Sequence, residues 1–153
     1  MIKIYYTYNM EESDAFIKKA LKFFCGKEFE IKRTKNGKPY VDYPVYFSLT
    51  HTDSLIVCGV SKSRVGIDAE KIRSFNKKDS ISKKFLRSSE KLDDSSFIKK
   101  WTEFESKVKY YGETIFNCPN ARKGKLITKN IILEDYVISV STDITEEIEM
   151  EMI

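Results

Sequence analysis

Read from its amino end, the chain opens on an alternation. Ile2, Ile4, Tyr6 and Tyr8 fall on one side of an extended segment and Lys3, Tyr5 and Thr7 on the other, the period-two pattern of a half-buried strand. The period then changes. Phe16, Ile17, Ala20, Leu21 and Phe24 recur at helical spacing, which predicts a helix over Asp14–Phe24 with Ser13 as N-cap and Gly26 just past its end. Phe29–Arg33 predicts a short strand. Asn36-Gly37-Lys38-Pro39 predicts a turn, because glycine supplies a positive φ and proline withholds a ladder donor. Val45–Leu49, Ser54–Val60 and Val65–Glu70 follow as strands, the second of them apolar and of buried character. Ser80–Arg87 and Phe97–Tyr111 predict helices joined by the polar stretch Ser88–Ser96. Lys125–Leu133 and Tyr136–Ser141 predict two late strands, and the acidic residues beyond them are expected to fray.

The order strand, helix, strands up to Ser61 repeats from Val65 to Ser141, and Leu55–Ser61 resembles Tyr136–Ser141 in pattern. An α+β fold of two small halves fits this echo: residues 1–62, residues 63–145, and an acidic tail over 146–153. The length of 153 residues, with 41% hydrophobic and 33% charged, suits one globular domain and excludes a disordered or fibrous chain. No apolar run reaches the roughly 18 residues of a membrane-spanning helix, so no membrane partner is expected. Met1–Tyr8 has no basic-then-apolar leader design. Cys25, Cys58 and Cys118 stand too far apart for a Cys-x-x-Cys site. A cytoplasmic protein is the expectation.

Charge changes the picture in one respect. The chain carries 27 basic and 23 acidic residues. Seven of the acids (Glu134, Asp135, Asp143, Glu146, Glu147, Glu149 and Glu151) lie beyond Lys129, the last basic residue, so all 27 bases upstream face only 16 acids. A basic body attracts nucleic acid, anionic lipid, a phosphorylated small molecule or an acidic protein. Charge does not choose among them, and a lysine-rich composition is the plain alternative.

Three segments could carry chemistry. In Val65-Gly-Ile-Asp-Ala-Glu70 the alternation of a strand puts Asp68 and Glu70 on one face and Ile67 and Ala69 on the other. Carboxylates two residues apart, about 6.5–7 Å along a strand, can converge on one hard divalent cation, Mg²⁺ or Mn²⁺ rather than zinc. Two solvated acids on an exposed face is the alternative. In the helix, Phe97, Trp101, Phe104, Val108 and Tyr111 make one apolar stripe with Glu105 and Lys109 at its rim, either reaching a site or forming an ordinary i,i+4 pair. The single histidine, His51, sits among hydroxyls in Phe47-Ser-Leu-Thr-His-Thr52, a setting for an anion contact or a structural role. No Gly-x-Ser-x-Gly elbow, Walker loop or Gly-x-Gly-x-x-Gly is present, and no nucleic-acid-binding motif.

In order, then, the chain carries Asn36-Gly-Lys-Pro39, Phe47-Ser-Leu-Thr-His-Thr52, Val65-Gly-Ile-Asp-Ala-Glu-Lys-Ile-Arg73 and Trp101-Thr-Glu-Phe-Glu-Ser-Lys-Val-Lys109. This series resembles the 4′-phosphopantetheinyl transferases of the surfactin-synthetase-activating type. The resemblance implies a pseudo-dimer of two α+β halves with coenzyme A as co-substrate in the cleft between them. It implies transfer of the phosphopantetheine arm to a serine of an apo acyl or peptidyl carrier protein. By the same resemblance Asp68, Glu70 and Glu105 match magnesium ligands, with Mn²⁺ as the alternative ion. Thr50 and His51 match contacts to the 3′-phosphate of coenzyme A, Lys38 and Pro39 lie at its adenine side, and Lys109 touches the phosphates. Glu105 and Lys109 are the catalytic candidates. Phe104 stands where the family has lysine, and its place in the stripe suits packing. No counterpart of the family's basic phosphate contacts ahead of the first helix is evident, with Lys18, Lys19 and Lys22 as substitutes. These departures motivate an alternative, a non-catalytic coenzyme A or carrier-protein binding module of the same fold.

Overall fold

The computed structural model describes residues 1–153. In chain order its elements are β1 (Ile2–Thr7), α1 (Ser13–Cys25), β2 (Lys32–Arg33), β3 (Pro39–Tyr40), β4 (Tyr46–Thr52), β5 (Leu55–Ser61) and β6 (Gly66–Lys71). Then come α2 (Lys78–Ile81), a π-helical turn (Ser82–Leu86), α3 (Asp94–Tyr111), α4 (Pro119–Lys123), β7 (Ile127–Leu133), β8 (Tyr136–Thr142) and β9 (Ile148–Met152). The fold is mixed α+β. One sheet has the order β4-β5-β1-β9, a second β6-β8-β7, and β2 with β3 forms a separate hairpin.

The alternation of β1 sorts its side chains as the sequence reading expects. Ile2 and Ile4 join Leu55 and Val57 of β5, Ile67 and Ala69 of β6, and Ile138 and Val140 of β8 in one core drawn from both sheets. Tyr5 faces the other way, into a second core with Phe16, Ile17, Ala20 and Leu21 of α1. Helix α1 starts at Ser13 itself. Glu12 occupies the N-cap position without a side-chain cap bond, so Ser13 is not the cap. Gly26 closes the helix at φ 72°, as its position predicts.

Helix α3 begins earlier than the apolar stripe suggests, because Asp93 caps it: its side chain accepts from the Ser96 amide at 2.7 Å. The helix meets the second sheet through small polar residues. Ser139 donates to Thr102 at 2.8 Å, Ser106 and Ser141 share a hydrogen bond of 2.7 Å, and Asn130 donates to Glu103 at 2.5 Å. The approach is close enough that a Cβ added at Gly66 would lie 2.1 Å from the Ser106 carbonyl oxygen. The aromatic stripe faces elsewhere. Phe104 and Val108 pack with Cys118 and Ala121, against Phe85, Leu86, Trp101 and Tyr111.

Three further expectations need correction. The tail does not fray. Residues 148–152 form β9, parallel to β1 with Ile2 opposite Ile148 and Tyr6 opposite Met152, and Ile148 and Met150 pack on the shared core. The helix expected over 80–87 divides into α2 and the π-helical turn, ending at Arg87 with φ 52°. The short strand at 29–33 keeps only Lys32 and Arg33 in a ladder, because Phe29 and Ile31 turn to pack on the α1 core. Helix α4 has no forecast in the hydrophobic pattern. No helix is long and apolar enough to cross a membrane.

Candidate active site

Strand β4 of the first sheet and β6 of the second run side by side, and the period of β4 decides what faces the join. Ser48, Thr50 and Thr52 lie on one side of the strand. The Ser48 hydroxyl accepts from the Ile67 amide at 3.0 Å, Thr50 donates to Asp68 at 3.0 Å, and Thr52 donates to Glu70 at 2.8 Å. Helix α3 supplies the third wall. Lys109 donates to Asp68 at 2.7 Å and to the Leu49 carbonyl at 3.4 Å. Glu105, one turn earlier, lines the same cavity as Asp68 and Glu70.

Two cavities open along this join. The smaller, about 280 Å³, is lined by Leu49, Thr50, His51, Asp68, Ala69, Glu70, Glu105 and Lys109. The larger, about 550 Å³, runs past Asp14, Arg33, Lys38, Pro39, Phe47 and Glu113. They share Leu49, His51 and Lys109, which makes them parts of one cleft. Thr50, Asp68, Glu70 and Glu105 line the acidic end, Lys38 and Pro39 the larger end, and His51 and Lys109 both, whereas Lys18, Lys19 and Lys22, the expected substitutes for phosphate contacts, line neither part.

The acidic end is electrostatically costly as it stands. Asp68 is only 5% exposed, and burial raises its pKa against the opposing pull of the Lys109 ammonium and the Thr50 hydroxyl. Burial, reinforced by the charges of Asp68 and Glu70, pushes the Glu105 carboxyl up to about 7. The three carboxylates supply only hard oxygen donors, the chemistry of an Mg²⁺ or Mn²⁺ site. Their side chains do not converge on a common point, and no three His, Cys, Asp or Glu residues are set to hold an ion. Lys109 is the cation facing Asp68.

Comparison with known proteins bears on what this cleft does. No family model matches the chain. The 4′-phosphopantetheinyl transferase gsp of Aneurinibacillus migulanus is 32% identical over 94 residues, 56% of this chain and 39% of that protein. The chain thus matches well under half the length of that relative.

Seen beside the family pattern, Phe104 lies on the face of α3 turned from the cleft, 9% exposed, with the Arg122 guanidinium 5.0 Å from its ring. Its departure from lysine therefore removes no charge from the cleft lining. Thr50 turns its hydroxyl to Asp68, towards the acidic end. The sequence reading missed Ser48, Thr52, Gly66 and Arg33. The first two were legible, since the row Ser48, Thr50, Thr52 keeps a strand's period.

Proposed function

We propose that the chain transfers the 4′-phosphopantetheine arm of coenzyme A to a serine of an acyl or peptidyl carrier protein and releases adenosine 3′,5′-bisphosphate. In this reading residues 1–62 and 63–145 are the two halves of a pseudo-dimer, with coenzyme A along the cleft between them. What supports it is the meeting of Asp68, Glu70, Glu105 and Lys109 with His51 along one continuous cleft, in a chain similar to a named transferase. In this reading Asp68, Glu70 and Glu105 are the oxygen donors that would hold Mg²⁺. When bound, the ion offsets the charge that develops on the pyrophosphate oxygens.

The chemistry asked of the chain's own residues is modest. Glu105 is the candidate to accept the serine proton; its raised pKa belongs to the metal-free cleft, and a carboxylate that binds the ion is a weaker base. The serine oxygen bonds to the β-phosphorus while the bridging oxygen leaves with the nucleotide. Lys109, already against Asp68, holds phosphate charge at the junction of the two cavities, and His51 does so from the β4 side. Lys38 and Pro39 bound the nucleoside end. Incubation with apo carrier proteins and coenzyme A, read by intact-mass spectrometry, tests the reading. A gain of one phosphopantetheine on the carrier that disappears with chelator is the expected result. Binding without any covalent product identifies the non-catalytic module instead.

A further inference from the structure

On the side of α3 turned from the cleft lies a further cavity, of about 460 Å³, that shares no lining residue with the cleft. Its volume is that of a small-molecule site. Lys100, Glu103, Phe104 and Lys107, spaced i, i+3, i+4 and i+7, bring one stripe of α3 to it. The π-helical turn adds Phe85 and Leu86 and runs on into Arg87, and α4 adds Ala121 and Arg122. The floor depends on the residue that departs from the family pattern. Phe104 packs with Cys118 and Ala121, and the Arg122 guanidinium lies 5.0 Å from its ring while donating to the Phe85 carbonyl at 2.7 Å. A lysine at 104 would set a second cation against that guanidinium.

Four cations line the cavity against one acid, and that acid is committed, since Glu103 accepts from Asn130 at 2.5 Å. Lys100 pairs with Glu90 at 3.1 Å. Arg87, Lys107 and Arg122 enter no ion pair. Arg87 is also held at a backbone cost. Helices α1 and α3 stop on glycine in the left-handed region, Gly26 at φ 72° and Gly112 at φ 69°, whereas the π-helical turn stops on Arg87 at φ 52°. An arginine there bears strain that glycine escapes. Unpaired cations beside an apolar floor suit an oxyanion carried on an apolar body. A phosphate monoester brings nearly two negative charges at neutral pH where a carboxylate brings one, and guanidinium forks match its oxygens. Phe116, 77% exposed and edge-on to Phe85 at 5.6 Å, extends the apolar rim.

We propose that this cavity is a second binding site, for an amphiphilic phosphate monoester whose head is held by Arg87, Lys107 and Arg122 and whose body lies on Phe85 and Phe104. The site is separate from the cleft and stands whether or not the transferase reading does.

Trp101, the single tryptophan, reports on it, because its ring lies 5.7 Å from Phe85 and 6.0 Å from Phe104. Titration of the full chain with hexyl phosphate should change Trp101 emission saturably. Inorganic phosphate, hexanol and hexanoate should each bind about tenfold more weakly or worse, the loss expected for a missing charged contact or apolar body. Arg87→Gly should weaken hexyl phosphate by about tenfold while the fold holds, because glycine suits that turn. Lys107→Glu should weaken it further, and His51→Ala, in the cleft, should bind it as the wild type does. Vesicles separate the sources of such a ligand: sedimentation with phosphatidate but not with phosphatidylcholine alone marks a lipid, and hexyl phosphate binding without sedimentation marks a soluble ester, and either keeps the site. Inorganic phosphate, hexanol or hexanoate matching hexyl phosphate overturns the proposal. So does wild-type affinity in both Arg87→Gly and Lys107→Glu, or a loss in His51→Ala, which would put the probe in the cleft.

Discussion

Replacing Gly66 by alanine should disable the cleft from behind. The new Cβ would lie 2.1 Å from the Ser106 carbonyl oxygen, 2.5 Å from the Tyr110 nitrogen and 2.8 Å from the Tyr110 Cα. All three are main-chain atoms of α3, so no side chain can rotate aside. Ordinary contact starts at 3.4 Å, which leaves the helix and β6 about 1.3 Å too close. If α3 gives way by that amount, the 2.7 Å bond from Lys109 to Asp68 opens toward roughly 4 Å, and the Ser106–Ser141 bond goes with it. Overpacking of this kind costs about 1–3 kcal/mol. Misplacing reacting groups by about 1 Å costs on the order of 10²-fold in rate. Urea denaturation and carrier-protein kcat/KM, measured together, read both effects. Gly59→Ala is the comparison, since its nearest neighbour is a side-chain methyl of Ile67 at 3.4 Å, and it should do little to either. A Gly66→Ala protein with wild-type stability and turnover would refute the close-approach argument.

Other outcomes follow from the same geometry. Asp68→Asn keeps a partner for Thr50 but removes the charge opposite Lys109, and transfer should fall about 10²-fold or more; near-native turnover in Mg²⁺ would remove Asp68 from the site. In chelator-treated protein the folded state holds the Glu105 proton up to about 7, whereas the unfolded chain releases it in the ordinary glutamate range. The unfolded state is therefore favoured as pH rises through that window, and Glu105→Gln should melt higher than the wild type at pH 8 but not near pH 4, which thermal scans check. Lys83, Lys84 and Arg87 are exposed on and just after the π-helical turn. Reversing all three to Glu should raise the KM for an acidic carrier protein but not for coenzyme A, with the difference shrinking in salt. An unchanged carrier KM at low salt places the docking face elsewhere.

What could be read from the sequence was what a periodic pattern encodes. Which side chains share a face in β1, α1 and β6 depends on local geometry and emerged as read, although β1, expected half-buried, is covered on both faces. Ser13 failed as a cap because a serine can equally open the first turn, and only the backbone at Glu12 decides which. The tail was misjudged on charge. Glu147, Glu149 and Glu151 alternate with Ile148, Met150 and Met152, a strand pattern whose partner, β1, lies at the opposite end of the sequence. Arg33 was invisible for a different reason. Nothing local distinguishes it from the lysines of α1, and only the turn at Gly37, with φ 80°, brings its hairpin to the cleft wall.

The seam between α3 and the second sheet also governs how firmly the site is held. A helix resting on leucine and valine can slide or roll by fractions of a turn at little cost, because dispersion has no direction. Here Thr102 meets Ser139, Ser106 meets Ser141, and Glu103 meets Asn130, each over a distance of 2.8 Å or less. Directional bonds of that length tolerate little travel along the helix axis before they break. Their spacing along α3 works like teeth on a rack, indexing the height of Glu105 and Lys109 against Asp68. Substituting valine for Thr102 and alanine for Ser106 together would leave a helix still packed on the sheet but free to drift along it, so the penalty should appear as lost alignment in the cleft more than as lost stability.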